Sequence, residues 1–129
     1  MKMKPWCHHY PGERPPRFLR AFLLLLLHER PAHGYELLER LRELGLHYTD
    51  QEIGYVYRTL RTMEKEGLIV SQWDTTGSGP AKRVYAITPQ GITTLHEWAQ
   101  ALGRIRESLE VFAQLYEEQT AKLKQASSS

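Results

Sequence analysis

Apolar and polar positions along the chain change period several times, and each change predicts a new element. The segment RFLRAFLLLLLHE is apolar nearly all round, which predicts a buried helix that Pro31 ends. The next segment, GYELLERLREL, places Tyr35, Leu38 and Leu41 at helical spacing between charged residues. Gly45 then stops this second helix.

A third helix is predicted between Thr49 and Gly67. Thr49 and Glu52 fit a capping box, and Gly67 is the expected C-cap. At about 100° per residue, one side of the helical wheel is apolar and carries Ile53, Val56, Leu60 and Met63. The opposite side carries Gly54, Arg58, Arg61, Thr62 and Lys65, with Tyr55 at its edge.

The polar side of this helix admits two interpretations. Arginine has a planar fork of donors that suits guanine edges and phosphates, and tyrosine adds a hydroxyl on a flat ring, so the face is typical of DNA recognition. Alternatively, Glu64 and Glu66 pair with these cations three or four residues away, and the face is only solvated.

A β-hairpin and a long helix complete the predicted order. The runs LIVSQWD and KRVYAIT alternate like strands, and TTGSGPA between them has the glycine and proline of a turn. Thr88 and Pro89 supply an N-cap and a first-turn proline for a helix that we expect to end near Lys124. The order predicts a mainly α fold with a small hairpin, namely a winged helix-turn-helix domain followed by a long C-terminal helix.

The long helix carries apolar residues at alternating gaps of three and four. They are Leu95, Trp98, Leu102, Ile105, Leu109, Phe112 and Tyr116. This heptad seam predicts a homodimer, because a helix laid against its own domain would normally show a wider stripe with a period of 3.6. Packing within its own domain stays open as the alternative.

Composition limits the further possibilities. The net charge is only +2 over 129 residues, so binding to nucleic acid must depend on where charge is placed. The single cysteine, Cys7, excludes an intrachain disulfide, and no signal peptide is recognisable, so we expect a cytoplasmic protein. The apolar run at 21–27 is too short for a membrane span, which needs about 20 residues.

These observations divide the chain into four segments. Residues 1–16 hold four of the seven prolines and show no periodicity, which predicts a flexible arm. We expect the winged helix-turn-helix domain at 17–87, the dimerisation helix at 88–124 and a disordered tail at 125–129.

The runs HGYELLERL, GYVYRTLRTMEKEGLI and WDTTGSGPAKRVYAITPQG, in this order and separation, resemble the PadR family of bacterial transcriptional regulators. The resemblance covers roughly residues 17–112. It implies a homodimeric repressor that dimerises through the C-terminal helix and binds a palindromic operator in double-stranded DNA. The DNA-binding residues that it implies, together with Lys65 from the helical wheel, are Tyr35, Tyr55, Tyr57, Arg58, Arg61, Lys65, Lys82 and Arg83.

The resemblance also implies an effector site on the C-terminal helix. Trp98 and Phe112 could line a cavity for a small hydrophobic effector, as in family members that respond to drugs and phenolic compounds. Aromatic residues at heptad positions also serve as plain core, and both interpretations stay open.

Enzymatic and metal-binding alternatives find little support. In HERPAH the second histidine comes one residue too late for a zinc-protease motif, and Pro31 interrupts the helix. Cys7, His8 and His9, even with His28 or His33, do not make a nameable ligand set, so we predict neither a metal nor a cofactor. We expect no enzyme. The remaining alternative is a winged helix that binds proteins without sequence-specific DNA binding, which the arginine and tyrosine face does not favour.

Overall fold

The computed structural model describes residues 16–46 and 49–128. The elements in chain order are α1 (Pro16–Glu29), β1 (Ala32–His33), α2 (Gly34–Glu43), α3 (Asp50–Lys65), β2 (Ile69–Asp74), β3 (Lys82–Ile87) and α4 (Pro89–Ser128). The described chain divides into two compact units, one reaching Leu95 and the other beginning at His96. The N-terminal arm with Cys7, His8 and His9 lies outside the described residues, apart from Pro16.

Helices α1, α2 and α3 pack their apolar faces together in the first unit. The largest fully buried side chains of this core are Leu23, Leu24, Leu27, Leu37, Leu41, Val56, Leu60, Met63 and Ile69. The continuous apolar run of α1 is therefore explained by neighbours on several sides, although Leu25 stays half exposed. Among the described residues, no helix is long and apolar enough to span a bilayer.

The start of α3 confirms the predicted capping box. The backbone amide of Glu52 donates to the Thr49 hydroxyl, and the Thr49 amide donates to the Glu52 carboxylate at 2.9 Å. The Thr49 amide gains its acceptor in this way, and the Glu52 amide is shared between the hydroxyl and the backbone carbonyl of Thr49, the latter at 2.9 Å.

The ends of α2 and α3 use the same glycine motif. Gly45 and Gly67 have positive φ angles of 88° and 83°, which side chains with a Cβ rarely adopt. In α3 the Gly67 amide donates to the Glu64 carbonyl, and the Leu68 amide donates to the Met63 carbonyl. Gly67 thus stands one residue past the C-cap, Glu66, in a Schellman motif.

The strands form an antiparallel sheet in the order β1, β3, β2. The predicted hairpin is confirmed, and its register pairs Ile69 with Ile87 and Asp74 with Lys82. Strand β1 was not predicted, because two residues are too few to show a period. It pairs with β3 and joins the start of α2 to the hairpin.

Helix α4 begins as predicted, with the Thr88 hydroxyl accepting a hydrogen bond from the Gly91 amide at 3.0 Å. It continues to Ser128 instead of ending near Lys124, so the segment predicted as a disordered tail is helical as far as Ser128. The sequence after Lys124, QASSS, contains neither glycine nor proline to stop a helix.

The two glycines of α4 give a matched test of the packing around its start. A Cβ at Gly91 would overlap the Leu68 carbonyl oxygen and lie 2.7 Å from Ile87 Cγ1, whereas a Cβ at Gly103 would meet nothing within 4 Å. We expect Gly91→Ala to lower the free energy of unfolding by roughly 1–3 kcal/mol through overpacking.

The control substitution, Gly103→Ala, is expected to raise the free energy of unfolding by up to about 1 kcal/mol, the usual helix preference for alanine. Urea unfolding of both variants measures the two effects. Equal effects of the two substitutions would contradict the close approach of α4 to the hairpin at Gly91.

Candidate nucleic-acid interface

The outer face of α3 presents a group of cations to solvent. Arg58, Arg61, Thr62 and Lys65 are exposed, whereas Val56, Leu60 and Met63 on the inner face are completely buried. The predicted division of this helix into two faces is confirmed. The burial of the inner face fixes which side chains point away from the protein.

The carboxylates nearest in sequence do not neutralise this face. Glu64 accepts a hydrogen bond from the Ser71 hydroxyl at 2.7 Å, and Glu66 pairs with Arg20 of α1. Within residues 16–46 and 49–128, no carboxylate forms an ion pair with Arg58, Arg61 or Lys65. The solvated-face alternative, in which Glu64 and Glu66 hold these cations, therefore does not describe the structure.

Two tyrosines of α3 are partly buried. Tyr55 and Tyr57 both pack against the core cluster. The Tyr57 ring lies so close to Gly34 that a Cβ there would overlap it, with the ring Cζ at 3.1 Å. Burial raises the pKa of Tyr57. Its main visible role is thus to set the approach of α2 to α3, a tertiary contact that the sequence pattern did not reveal.

Tyr35 projects from the first turn of α2 and is 67% exposed. A hydrogen bond to the Glu39 carboxylate, together with the negative charge of that group, raises the pKa of Tyr35. The same hydrogen bond lowers the pKa of Glu39. The ring is therefore held on the surface with its hydroxyl beside a carboxylate.

The predicted wing residues Lys82 and Arg83 lie on opposite faces of the hairpin. Side chains alternate along a strand, and the register places Arg83 opposite Trp73 and Lys82 opposite Asp74. The face with Arg83 also carries buried Tyr85 and Ile69, so it is the face that packs on the core. Both cations were predicted to contact DNA, whereas the fold places them on opposite faces of the hairpin.

Arg83 has defined partners on its face. Its Nε donates to the Ser71 hydroxyl at 2.9 Å, and its guanidinium carbon lies 5.2 Å from the centre of the Trp73 ring. Trp73 itself is 62% exposed. Neither Ser71 nor Trp73 was a predicted site residue, although the alternation of β2 and β3 was a signal that could have placed them beside Arg83.

The opposite face ties the turn end of the hairpin to the start of α2. His33 Nε2 lies 3.3 Å from Asp74 Oδ2, and His33 Nδ1 lies 3.6 Å from Glu36 Oε1. Asp74 also accepts hydrogen bonds from the hydroxyl and amide of Thr76, at 2.7 and 3.0 Å. The bonds from Thr76, followed by the one from His33, lower the pKa of Asp74.

The predicted dimer residues differ in burial along α4. Leu95 belongs to the core of the first unit, and Trp98 and Leu102 are half-buried. The remaining members are exposed, namely Ile105, Leu109, Phe112 and Tyr116, and the rings of Phe112 and Tyr116 stack with centroids 6.4 Å apart. Leu123, seven residues after Tyr116, continues the seam at 69% exposure and was not predicted.

A groove of about 540 Å³ lies between α1 and α2. Its lining consists of Leu26, Glu29, Arg30, Tyr35, Glu36, Glu39, Arg40, Glu43 and Leu44. Six of these nine residues are charged, so the groove does not suit a hydrophobic effector. Its lining includes neither Trp98 nor Phe112, where the effector was expected. Within the described part of the chain, no group of three or more His, Cys, Asp or Glu side chains is placed to hold a metal ion.

The chain is similar in sequence to known transcriptional regulators. The model of the transcriptional regulator PadR-like family matches residues 23–97. Rv1176c of Mycobacterium tuberculosis, named as a probable transcriptional regulator, is 35% identical over 77 residues, which is 59% of this chain and 40% of that protein. The chain thus spans less than half of the length of this curated relative.

Solved structures share the fold. The PadR-like transcriptional regulator BC4206 of Bacillus cereus has 28% identity and a TM-score of 0.66, over 74% of this chain and 91% of its own. Bacillus subtilis PadR, solved in complex with operator DNA, has 28% identity and a TM-score of 0.57, over 66% of this chain and 48% of its own. These matches confirm the winged-helix prediction. Because the matching model and the named relatives are transcriptional regulators, the expectation of a non-enzymatic protein is also confirmed, and the chain belongs to the PadR-like family of transcriptional regulators.

Proposed function

We propose that this protein is a homodimeric repressor that binds a palindromic operator with α3 in the major groove and the wing on the adjoining backbone. The observation that carries the proposal is the outer face of α3, where Arg58, Arg61 and Lys65 are exposed and no described carboxylate pairs with them. The structure of Bacillus subtilis PadR with operator DNA supports the same role for this chain.

The chemistry of the face suits direct reading of bases. Arginine binds guanine O6 and N7 through two parallel hydrogen bonds, and such a pair discriminates against other bases by about 1–3 kcal/mol. Gly54 leaves room for the end of Arg58, since a Cβ there would come 3.3 Å from Arg58 Nη1. Tyr55 borders this cation pair, and Tyr35 extends the surface onto α2. We therefore assign base contacts to Arg58 and Arg61, and backbone contacts to Tyr35, Lys65 and the wing.

The exposed apolar seam of α4 supports dimerisation. Four seam residues are 46–68% exposed, namely Ile105, Leu109, Phe112 and Tyr116. Exposing large apolar side chains to water is unfavourable, and residues at a and d spacing are normally covered by a second helix. A second copy of this chain is the proposed occupant. Its two-fold symmetry would place two α3 helices on two half-sites, which explains the expected palindrome.

Repression and release complete the proposal. A dimer bound near a promoter would exclude RNA polymerase from the same DNA, so we assign repression to this protein. Trp98 and Phe112 lie on the proposed seam. A small hydrophobic effector bound between the paired helices there would change the spacing of the two α3 helices and release the operator.

The proposal is tested by selecting duplexes from a random-sequence pool with the full-length protein. The affinity of an enriched duplex is then compared with that of a scrambled duplex at two salt concentrations. We expect a preference of about 10³-fold or more and a steep loss of affinity with salt. Failure to bind duplex DNA, or equal affinity for every duplex, would instead favour a winged helix that binds proteins.

Substitutions on the two faces of α3 should affect different properties, namely DNA affinity on the outer face and stability on the inner face. Arg58→Ala is expected to leave the melting temperature nearly unchanged, because an exposed substitution is usually worth less than about 0.5 kcal/mol. Its affinity for the selected duplex should fall by about 1–3 kcal/mol per half-site. Leu60→Ala should instead lower the free energy of unfolding by roughly 2–5 kcal/mol.

Melting curves and fluorescence-anisotropy titrations on each variant separate these effects. Arg104→Ala is the matched control, because it removes the same charge from an exposed position of α4. If Arg58→Ala and Arg61→Ala both bind as tightly as the wild type, α3 does not read the DNA.

The dimer is tested by placing one negative charge on or off the seam. Leu109→Glu puts a carboxylate into the proposed apolar interface, where an unpaired charge costs several kcal/mol. Sedimentation of this variant should report a monomer. Gln114→Glu adds the same charge five residues along the helix, on the side away from the seam, and should sediment like the wild type. A wild-type monomer, or a dimer in both variants, would contradict dimerisation through this face.

A further inference from the structure

Arg83 belongs to a cluster that joins the hairpin to α3, and its other members are Glu64, Ser71 and Trp73. We propose that Ser71 and Trp73 are positioning residues that orient Arg83, so that Arg83 rather than Lys82 makes the directed phosphate contact of the wing. The inference rests on the proposed DNA-binding function and adds to it the residues that prepare the contact.

The two hydrogen bonds made by the Ser71 hydroxyl fit one assignment of donor and acceptor. The Ser71 hydroxyl donates to Glu64 Oε2 at 2.7 Å, which leaves its oxygen lone pairs to accept from Arg83 Nε at 2.9 Å. Glu64 belongs to α3, Ser71 to β2 and Arg83 to β3. Through these two hydrogen bonds the orientation of Arg83 is fixed relative to α3, the helix that carries the proposed base contacts.

Trp73 restricts the guanidinium from a second side. Its ring lies opposite Arg83 in the register, 5.2 Å from the guanidinium carbon, which is a cation–π distance. With Nε used by Ser71, the four N–H groups on Nη1 and Nη2 of Arg83 have no acceptor among the described residues. A planar fork with free donors and a fixed plane suits two oxygens of one phosphate.

The charges near Tyr85 indicate where this fork lies. Burial raises the pKa of the Tyr85 hydroxyl; the positive charges of Arg83 and Arg61 lower it, and the negative charge of Glu64 raises it. Both guanidiniums are therefore close enough to act on one hydroxyl, one from the wing and one from α3.

Lys82 differs on each of these points. It lies on the other face of the hairpin, opposite Asp74, and its flexible stem carries a compact charge without a fixed plane. An unrestrained lysine also loses more rotamer freedom when it binds. Lys82 thus adds general attraction to DNA but no orientation.

The experiment is a double-mutant cycle on the duplex that the wild-type protein enriches from a random pool. Trp73→Leu keeps an apolar strand residue and removes the ring, and it should weaken binding about 2- to 5-fold per wing, the value of an exposed cation–π contact. Trp73→Phe keeps a ring face and should bind within about 2-fold of the wild type by the same contact.

Backgrounds that lack one cation distinguish positioning from direct contact. In an Arg83→Ala background, Trp73→Leu should cause no further loss, because the residue it orients is gone. In the matched Lys82→Ala background, it should cause the full loss. If Trp73→Leu lowers the melting temperature, Ser71→Ala is taken through the same two backgrounds, and the same coupling to Arg83 alone is expected.

Three results would overturn the inference while leaving DNA binding intact. They are wild-type affinity for Trp73→Leu, an equal loss in the Arg83→Ala and Lys82→Ala backgrounds, and a loss for Trp73→Phe as large as for Trp73→Leu. A wild-type protein that enriches no duplex overturns the proposed function itself, and the inference falls with it.

Discussion

Val56, Leu60 and Met63 of α3 lie without exposed surface among the leucines of α1 and α2, and the orientation of the whole proposed DNA-binding surface depends on that contact. Burying each such side chain contributes about 1.5–3 kcal/mol. Because the three residues recur at helical spacing, their burial also fixes the rotation of the helix about its axis. Arg58, Arg61 and Lys65 then have only the outward direction left. Stability and function are thus assigned to opposite faces of one helix.

The sheet carries this orientation to the wing. Ile69 and Tyr85 anchor one face of the hairpin on the core, and the same face continues outward to Trp73 and Arg83. On the other face, His33 and Asp74 join the wing to the start of α2. The hairpin is therefore connected on one face to α3 and on the other to α2, both of which carry predicted DNA-binding residues. Such bracing favours contacts that are prepared before DNA arrives, which lowers the ordering cost of binding.

Features encoded by short stretches could be predicted from the sequence, whereas features set by tertiary contacts could not. The capping box at Thr49 and the glycine end at Gly67 depend on neighbouring residues, and the two faces of α3 follow from its periodicity alone. Strand β1 exists because β3 pairs with it, and two residues carry no period of their own. Tyr57 was assigned to DNA by resemblance, yet its ring packs over Gly34, which only the meeting of α2 and α3 reveals. Leu95 fits the heptad seam but lies in the core, since spacing alone does not identify which surface covers a residue.

The proposed DNA-contacting surface is the face of α3 opposite the buried core. Its most direct test is an NMR titration of the full-length, isotope-labelled protein with a duplex enriched from a random pool, following the backbone amide and arginine Nε–H signals. We expect the signals of residues 54–65, Tyr35 and Arg83 to shift, while those of the exposed positions at 104–118 of α4 stay unchanged. Shifts confined to α4, or none along α3, would contradict it.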